Sequence, residues 1–356
     1  MKFIHTGDVH WGMTPDADKP WGKERAQAIR DTFKAIIDHA GAVKADCLFI
    51  SGDLFHRQPL MRDIKEVNYL FSTIPHVRVV MIAGNHDKIR ENSSILSFSW
   101  SPNVTFLADP ALSSVYFDDI NTEVYGFSYH TTEIREPLLE DIQVPLNNRI
   151  QILLAHGGDP AHVPMNFNTL SLSPFSYIAL GHIHKAQVIA EDKMAYCGSP
   201  EPLDRTETGT HGHFEGEIHP ATRRLTRLDF IPAASLRCIP LAVTVTTETT
   251  NGGLTDRIIN EIDKRGREHI YRFRLKGMRD PDITFDLSSL SARFRIGEII
   301  DESEPLYDFP ALFAEHSSDM IGFFIQALQK EDMSPVEKKA LYYGVNALLH
   351  TTDERS

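Results

Sequence analysis

The sequence predicts an α/β fold of two packed β-sheets flanked by helices, followed by a small α+β module and C-terminal helices. Three observations predict it. Residues 1–87 alternate buried-strand runs with amphipathic stretches in the order β-α-β-α-β, as in a sheet with helices packed on it. From 104 to 231 short strand-like pieces follow one another with few helical patterns, which predicts a second, mostly antiparallel sheet. Past Pro232-Ala233-Ala234-Ser235 the texture changes again, to strand-helix-strand and then two helices.

In order, Lys2 to Thr6 is the first strand, and residues 11–22 form a loop holding Trp11 and Trp21. Ala26, Ile29, Phe33, Ile36, Ile37 and Ala40 recur at helical spacing, so 23–40 is an amphipathic helix. Cys47 to Ile50 is the second strand. Ile64, Val67, Leu70 and Phe71 mark the next helix, and Val77 to Ala83 the third strand. The pieces assigned to the second sheet are 104–107, 123–127, 150–155, 177–180, 186–190, 194–197, 214–219 and 224–231, so the first domain is placed at 1–232. A small α+β domain follows at 236–300, built from Ile239 to Thr247, Leu254 to Lys264 and His269 to Leu275, with 284–304 read as a connector. The segment 305–356 opens with one helix over 311–329, whose apolar rows are Met320, Phe324 and Leu328 and, beside them, Ile321 and Ile325. A second helix starts at Ser334-Pro335-Val336-Glu337, a capping box with proline at the first helical position. Its apolar face is Val336, Leu341, Val345, Leu348 and Leu349.

The 356 residues are 42% apolar and 24% charged, which is ordinary for a globular protein, and no apolar run approaches a membrane span. Met1 leads straight into a strand without a signal-peptide pattern, and Cys47, Cys197 and Cys238 are scattered. Reduced core thiols in a cytoplasmic protein fit better than a disulfide framework or a zinc knuckle. The net charge of −13 argues against a free-standing nucleic-acid binder, but residues 221–300 carry +4 and the rest −17.

Chemistry is carried by five polar clusters, each ending an apolar strand-like run: Asp8-x-His10, Gly52-Asp53, Gly84-Asn85-His86-Asp87, His156-Gly157 and Gly181-His182-Ile183-His184. One histidine after a strand is usually a turn residue, and Gly-Asp is a common turn. Five such clusters are hard to place without a site. Ligands at strand ends are held rigidly and converge at one sheet edge. The i, i+2 spacing of Asp8 with His10 and of His182 with His184 puts both side chains on one face of an extended chain. Aspartate, asparagine and histidine without thiolate suit Mn²⁺, Fe²⁺ or Zn²⁺ better than a Mg²⁺-only site. Two carboxylates facing two dications, about 3.5–4 Å apart, keep net positive charge, so the centre can bind a phosphate and generate hydroxide from water.

This order resembles the calcineurin-like metallophosphoesterases, whose motifs are D-x-H, G-D, G-N-H-D/E, H and G-H-x-H. Gly52-Asp53-Leu54-Phe55-His56 looks like the SbcD-type branch, DNA double-strand-break repair nucleases. The tyrosine-valine-aspartate-arginine pattern of the protein phosphatases is absent. The resemblance implies a four-layer αββα fold over 1–232, a capping domain and a helical segment for partner binding. It implies one metal held by Asp8, His10 and His184, the other by Asn85, His156 and His182, and Asp53 between them. His86 would point at the scissile phosphate, stabilising charge or protonating the leaving oxygen. Asp87 would orient or polarise His86, and His56 would assist substrate handling or product-strand protonation.

Outside these motifs, Tyr271-Arg272-Phe273-Arg274-Leu275-Lys276 alternates strictly and would line Arg272, Arg274 and Lys276 on one face, for a phosphate backbone or simply for solvent. Trp11 and Trp21 would stack on unpaired bases or pack within the loop. His211, His213 and His219 look like a further metal cluster but match no motif. Gly198-Ser199-Pro200 resembles the branch's glycine-serine turn and would shape the site wall. The apolar faces of the last two helices would dock on the chain's own core or on the coiled coil of an SMC-like ATPase of SbcC type, as the resemblance implies. A second copy of the chain is a further candidate partner. The expected activity is metal-dependent hydrolysis of DNA phosphodiesters by in-line attack of a metal-bound hydroxide. The alternative is a dinuclear enzyme acting on a small-molecule phosphodiester or phosphomonoester.

Overall fold

β1 (Lys2–Thr6), α1 (Gly22–Ala42), β2 (Cys47–Ser51), α2 (Met61–Ser72) and β3 (Arg78–Ile82) follow the order expected from their apolar periodicity. A computed structural model describes residues 1–140, 142 and 144–353; the last three residues of the 305–356 segment lie outside the described residues. The described chain divides into two units. Unit 1 is Met1–Ile239 with Glu268–Ile270, and unit 2 is Pro240–Arg267 with the chain from Tyr271 on.

Unit 1 continues through α3 (Ser94–Ser97), β4 (Val104–Phe106), β5 (Ser113–Phe117), β6 (Thr122–Gly126), β7 (Ile150–His156), α4 (Phe167–Leu172), β8 (Tyr177–Gly181), β9 (Gln187–Ala190), β10 (Met194–Tyr196), β11 (Gly212–Ile218) and β12 (Leu225–Pro232). They form two mixed sheets, ordered β12-β11-β1-β2-β3-β4 and β5-β6-β7-β8-β10-β9. Alternation along each strand sorts its side chains. Phe3, Cys47, Phe49, Val80 and Ile82 face Val124, Ile152, Leu154 and Ala179 between the sheets. Ile4, Leu48 and Ile50 point the other way, onto Ile29, Phe33 and Ile36 of α1 and Val67 and Phe71 of α2. Leu153, Ile178, Leu180 and Tyr196 pack on Phe167, Leu170 and Phe175 over the outer face of the second sheet.

Two expectations are corrected here. The second sheet is not mostly antiparallel: β6, β7, β8 and β10 run parallel to their neighbours in that row, and antiparallel pairing is confined to its edges, β5 with β6 and β9 with β10. Parallel strands need long crossovers, and the stretches from Gly126 to Ile150 and from His156 to Tyr177 supply them, without long helices among the described residues. Residues 104–107, 214–219 and 224–231 also belong to the first sheet, since β4 pairs with β3 while β11 pairs with β1 and β12.

Unit 2 holds β13 (Cys238–Val245), α5 (Asn251–Arg265), β14 (Ile270–Arg279), α6 (Ser288–Arg293), β15 (Ile296–Asp301) and β16 (Glu304–Pro305), the first and third beginning in residues of unit 1. The connector expected at 284–304 carries structure: β15 pairs parallel with β14, from Tyr271 opposite Ile296 to Leu275 opposite Asp301. Its apolar content, Ile296 and Ile299-Ile300, is too short to separate from loop by periodicity. The helix expected over 311–329 is two, α7 (Phe309–Glu315) and α8 (Met320–Leu328). Asp319 breaks the run by capping α8, accepting from the Ile321 N–H at 2.9 Å. α9 (Pro335–Asp353) opens on the expected capping box: Ser334 N–H donates to Glu337 at 2.8 Å and Glu337 N–H to Ser334 Oγ at 3.3 Å. Ile321 and Ile325 of α8 pack on Leu341 and Val345 of α9, whereas Met320 and Val336, expected on the apolar faces, are 69% and 76% exposed.

Candidate metal centre

The motif residues of unit 1 meet where β1, β2 and β3 of one sheet and β7 and β8 of the other end. Backbone bonds carry the pairing past the strand ends: Asp8 N–H donates to Gly52 O, His10 N–H to Asp53 O, and Gly157 N–H to Gly181 O. The backbone is bent to do it. Asp8, His10, Asp53 and His182 have φ of 48°, 51°, 49° and 98°, a region that side chains with a Cβ rarely adopt. Such outliers gather at functional sites, where surrounding structure holds them. Gly84 is required by space: a Cβ there would lie 2.2 Å from Asp53 Oδ1 and 2.7 Å from His156 Nε2.

Asp53 is central. Its Oδ1 accepts the His86 N–H at 2.9 Å, and its Oδ2 lies 3.6 Å from His10 Nε2 and 3.4 Å from His156 Nε2. On one side, Asp8, His10 and His184 present ligand atoms within 4.8 Å of one another. On the other, His156 Nε2 is 2.9 Å from Asn85 Oδ1, and the His156 and His182 rings are 5.2 Å apart.

Each histidine of the set has one ring nitrogen engaged away from the centre. His156 Nδ1 donates to Ser51 O at 2.9 Å. His10 Nδ1 is 3.2 Å from His56 Nδ1, His182 Nε2 is 2.7 Å from Asp159 Oδ2, and His184 Nδ1 is 2.7 Å from Glu207 Oε1. The remaining nitrogens are the ligand candidates, and His10 Nε2 is buried without a hydrogen-bond partner. A dication fits this set: a buried, unpartnered nitrogen beside carboxylates is the donor arrangement of a metal site.

Electrostatics agree. Burial opposes charge on His156, but the Asp53 carboxylate beside it pushes its pKa up to about 9. Burial would raise Asp53, but His156 outweighs this and holds it below the carboxylate range. Burial drives His10 well below the ordinary imidazole value. Without a metal, a proton on His156 supplies the cation that Asp53 demands.

The scan of family models matches residues 1–186 to the calcineurin-like phosphoesterases, just over half of the chain. The chain belongs to this family. Among curated proteins it is 28% identical over 222 residues to the DNA double-strand break repair protein Mre11 of Methanocaldococcus jannaschii, covering 58% of each chain. It is 29% identical over 251 residues to Mre11 of Archaeoglobus fulgidus, covering 61% of this chain and 54% of that one. It is 24% identical over 316 residues to the SbcD component of the nuclease SbcCD of Staphylococcus epidermidis, covering 77% and 79%. The match therefore spans little more than half the length of the two Mre11 relatives.

The fold brings together Asp8, His10, Asp53, Asn85, His156, His182 and His184, the residues singled out from the sequence. His86 is exposed, its Nδ1 donating to His56 O at 3.2 Å. His56 stacks on His86, ring centroids 5.4 Å apart, and burial and the His86 charge lower its pKa. Asp87 is a correction. It does not orient His86: its carboxylate is buried and accepts the Gly84 N–H at 2.7 Å and the Phe55 N–H at 3.1 Å. Trp11 and Trp21 are also corrected. They are 5% and 7% exposed, Trp11 packing on Phe33 and Trp21 on Leu236, Cys238 and Ile270, so neither offers a face to a base. Arg272, Arg274 and Lys276 do share the solvent face of β14, but they are not a free cationic row. Arg272 pairs with Glu298 at 2.8 Å, and Arg274 and Lys276 with Glu302 at 2.7 and 3.9 Å. His211, His213 and His219 do not converge. His211 binds Ser199, His213 is buried beside His39, and His219 accepts the Thr222 N–H in a turn. Ser199 N–H donates to His184 O at 2.9 Å, bringing the Gly198-Ser199-Pro200 turn against the site.

Sequence reasoning missed Asp159, His162 and Glu207. Asp159 and His162 had a local signal, an Asp and a His three apart just after His156-Gly157-Gly158. Glu207 had none, since a loop alone carries it back to His184.

Proposed function

We propose that this chain hydrolyses phosphodiester bonds in DNA as the nuclease of a double-strand-break repair complex, with two divalent metals, Mn²⁺ first and Fe²⁺ or Zn²⁺ as alternatives. The observation that carries it is the position of Asp53 Oδ2 between His10 Nε2 and His156 Nε2, with Asp8 and His184 on one side and Asn85 and His182 on the other. In this reading Asp8, His10 and His184 would hold one ion and Asn85, His156 and His182 the other, with Asp53 available to both. The pair supplies charge neutralisation for the phosphate and acidifies water.

The protein's own groups do the rest. His56 O accepts the proton of His86 Nδ1, which leaves His86 Nε2 as the group that would meet the phosphate and, when protonated, pass its proton to the leaving oxygen. Asp87 keeps the Asn85-His86 turn closed on the loop after β2. The relatives' names, Mre11 as a DNA double-strand break repair protein and SbcD as a component of the SbcCD nuclease, support DNA as substrate.

The proposal includes a catalytic domain at 1–232, a capping domain at 236–300, and partner binding by 305–356 to an SMC-like ATPase of SbcC type. Exposed Met320, Phe323, Val336 and Tyr343 support the last. It also includes a homodimer and a cytoplasmic location, to which three buried, unpaired thiols are suited. Assays of single- and double-stranded DNA beside bis(p-nitrophenyl) phosphate with Mn²⁺ test the core of it. Cleavage of DNA is expected; turnover of the small ester alone, at every salt concentration, overturns it. That second reading, a small-molecule phosphoesterase, draws on the net charge of −13 and on the ion-paired Arg272, Arg274 and Lys276.

A further inference from the structure

The site contains two carboxylates that the ligand set does not use, and each touches one histidine of the Gly181-His182-Ile183-His184 motif. Asp159 Oδ2 lies 2.7 Å from His182 Nε2 and 2.9 Å from His162 Nδ1. Glu207 Oε1 lies 2.7 Å from His184 Nδ1. The two contacts fall on opposite ring nitrogens. A carboxylate accepting from Nε2 leaves His182 Nδ1 as its lone-pair donor; a carboxylate accepting from Nδ1 leaves His184 Nε2.

Both acids are themselves aimed. Asp159 Oδ1 accepts the N–H groups of Ala161 and His162 at 2.7 and 3.0 Å, so its own loop fixes the carboxylate plane. That loop is strained. Val163, β-branched, sits at φ 45°, and Gly158, at φ 120°, could not carry a Cβ, which would lie 1.9 Å from the Tyr196 hydroxyl. Glu207 Oε2 accepts the Leu203 N–H at 2.8 Å and faces the Ser199 hydroxyl at 3.4 Å. Holding an acid this firmly against a ring nitrogen is more than solvation requires. It selects a tautomer and makes the opposite nitrogen more basic.

Resting on the two-metal reading above, we infer that Asp159 and Glu207 are positioning residues dedicated to different metals: Asp159 acts through His182 on the ion shared with Asn85 and His156, and Glu207 through His184 on the ion shared with Asp8 and His10. His162 is the second donor to Asp159 and keeps its carboxylate turned toward His182.

The experiment counts metal rather than activity. Wild-type protein, Asp159→Asn and Glu207→Gln are titrated with Mn²⁺ by calorimetry, counted for bound metal after desalting, and examined by electron paramagnetic resonance. Wild type is expected to hold two ions with an exchange-coupled signal. Each variant is expected to bind one ion as before and the other about 10–100-fold more weakly, with a mononuclear signal. Pairing each variant with alanine at either histidine separates the two routes. Asp159→Asn adds nothing to the loss in His182→Ala but adds fully to His184→Ala, and Glu207→Gln does the reverse. His162→Ala moves the same ion as Asp159→Asn by a smaller factor, and metal-free melting curves check that each variant folds. Two ions bound by Asp159→Asn at unchanged affinities overturn the inference and leave the two-metal reading standing. So does a third ion in wild type that vanishes with Asp159→Asn, which makes Asp159, His162 and His182 ligands of their own metal. A wild type that binds no dication overturns both.

Discussion

The Asp87 carboxylate, buried in the core, accepts the Phe55 N–H at 3.1 Å and so fastens the end of β3 to the loop that follows β2. Its other oxygen takes the Gly84 N–H at 2.7 Å. Asp87→Ala leaves two buried N–H groups without acceptors, at about 1–3 kcal/mol each. Denaturant unfolding is expected to record that loss, together with weaker metal retention. Unchanged stability with reduced hydrolysis would return Asp87 to the role of a partner for His86.

Metal uptake is expected to release a proton. His156 Nε2 faces Asp53 Oδ2 at 3.4 Å, and the carboxylate, working against burial, pushes the ring's pKa up to about 9. At pH 7 the metal-free ring is charged, and a cation at Nε2 displaces the proton. Affinity for Mn²⁺ therefore rises with pH, by up to about tenfold per unit, and levels off above about 9. Calorimetry in buffers of different ionisation enthalpy reads the released proton directly; heats independent of buffer contradict the assignment.

His86→Ala tests the outward-facing histidine. Both metals are expected to stay bound, because His86 lies outside the proposed ligand set and its Nδ1 is held by His56 O. Hydrolysis of DNA is expected to fall about 10²–10⁴-fold. A nitrophenyl ester, whose leaving group needs no proton, is expected to lose much less. Equal losses on both substrates exclude the acid role.

Stability is expected to fall in mild acid through His213. This ring is 1% exposed, and burial, with the nearby His39, lowers its pKa from 6.5 to about 4, while Glu215 acts to raise it. Its folded-state pKa is depressed, so the unfolded chain takes up the proton first as the pH drops. The neutral ring's stability is intact above about 6.5 and is lost between there and about 4, on the order of 3 kcal/mol. A His213→Gln variant measured across that window is expected to show a shallower slope, the remainder coming from other buried histidines such as His5 and His10; a slope as steep as wild type excludes His213.

Much of the candidate site was legible one cluster at a time, because each candidate ligand follows an apolar run in sequence. Asp8, His10, Asp53, Asn85, His156, His182 and His184 stand at strand ends, and strand ends can be read from local periodicity. The same locality explains β1, α1, β2, α2 and β3. Pairing is different. Which sheet receives β4, β11 and β12, and whether β6, β7 and β8 run parallel, depends on crossovers whose course no local pattern records.

By itself, then, the sequence determined which polar residues end the apolar runs and in what order they come. The tertiary structure decided which nitrogen of each ring faces the centre, because that depends on a partner brought from elsewhere in the chain: His56 to His10, Ser51 to His156, Asp159 to His182, Glu207 to His184. It also decided that Asp87 serves the backbone, and that Trp11 and Trp21 are buried. Hydrogen bonds and burial are properties of distance in space, and separations such as the 105 residues between Ser51 and His156 are invisible to any window along the chain.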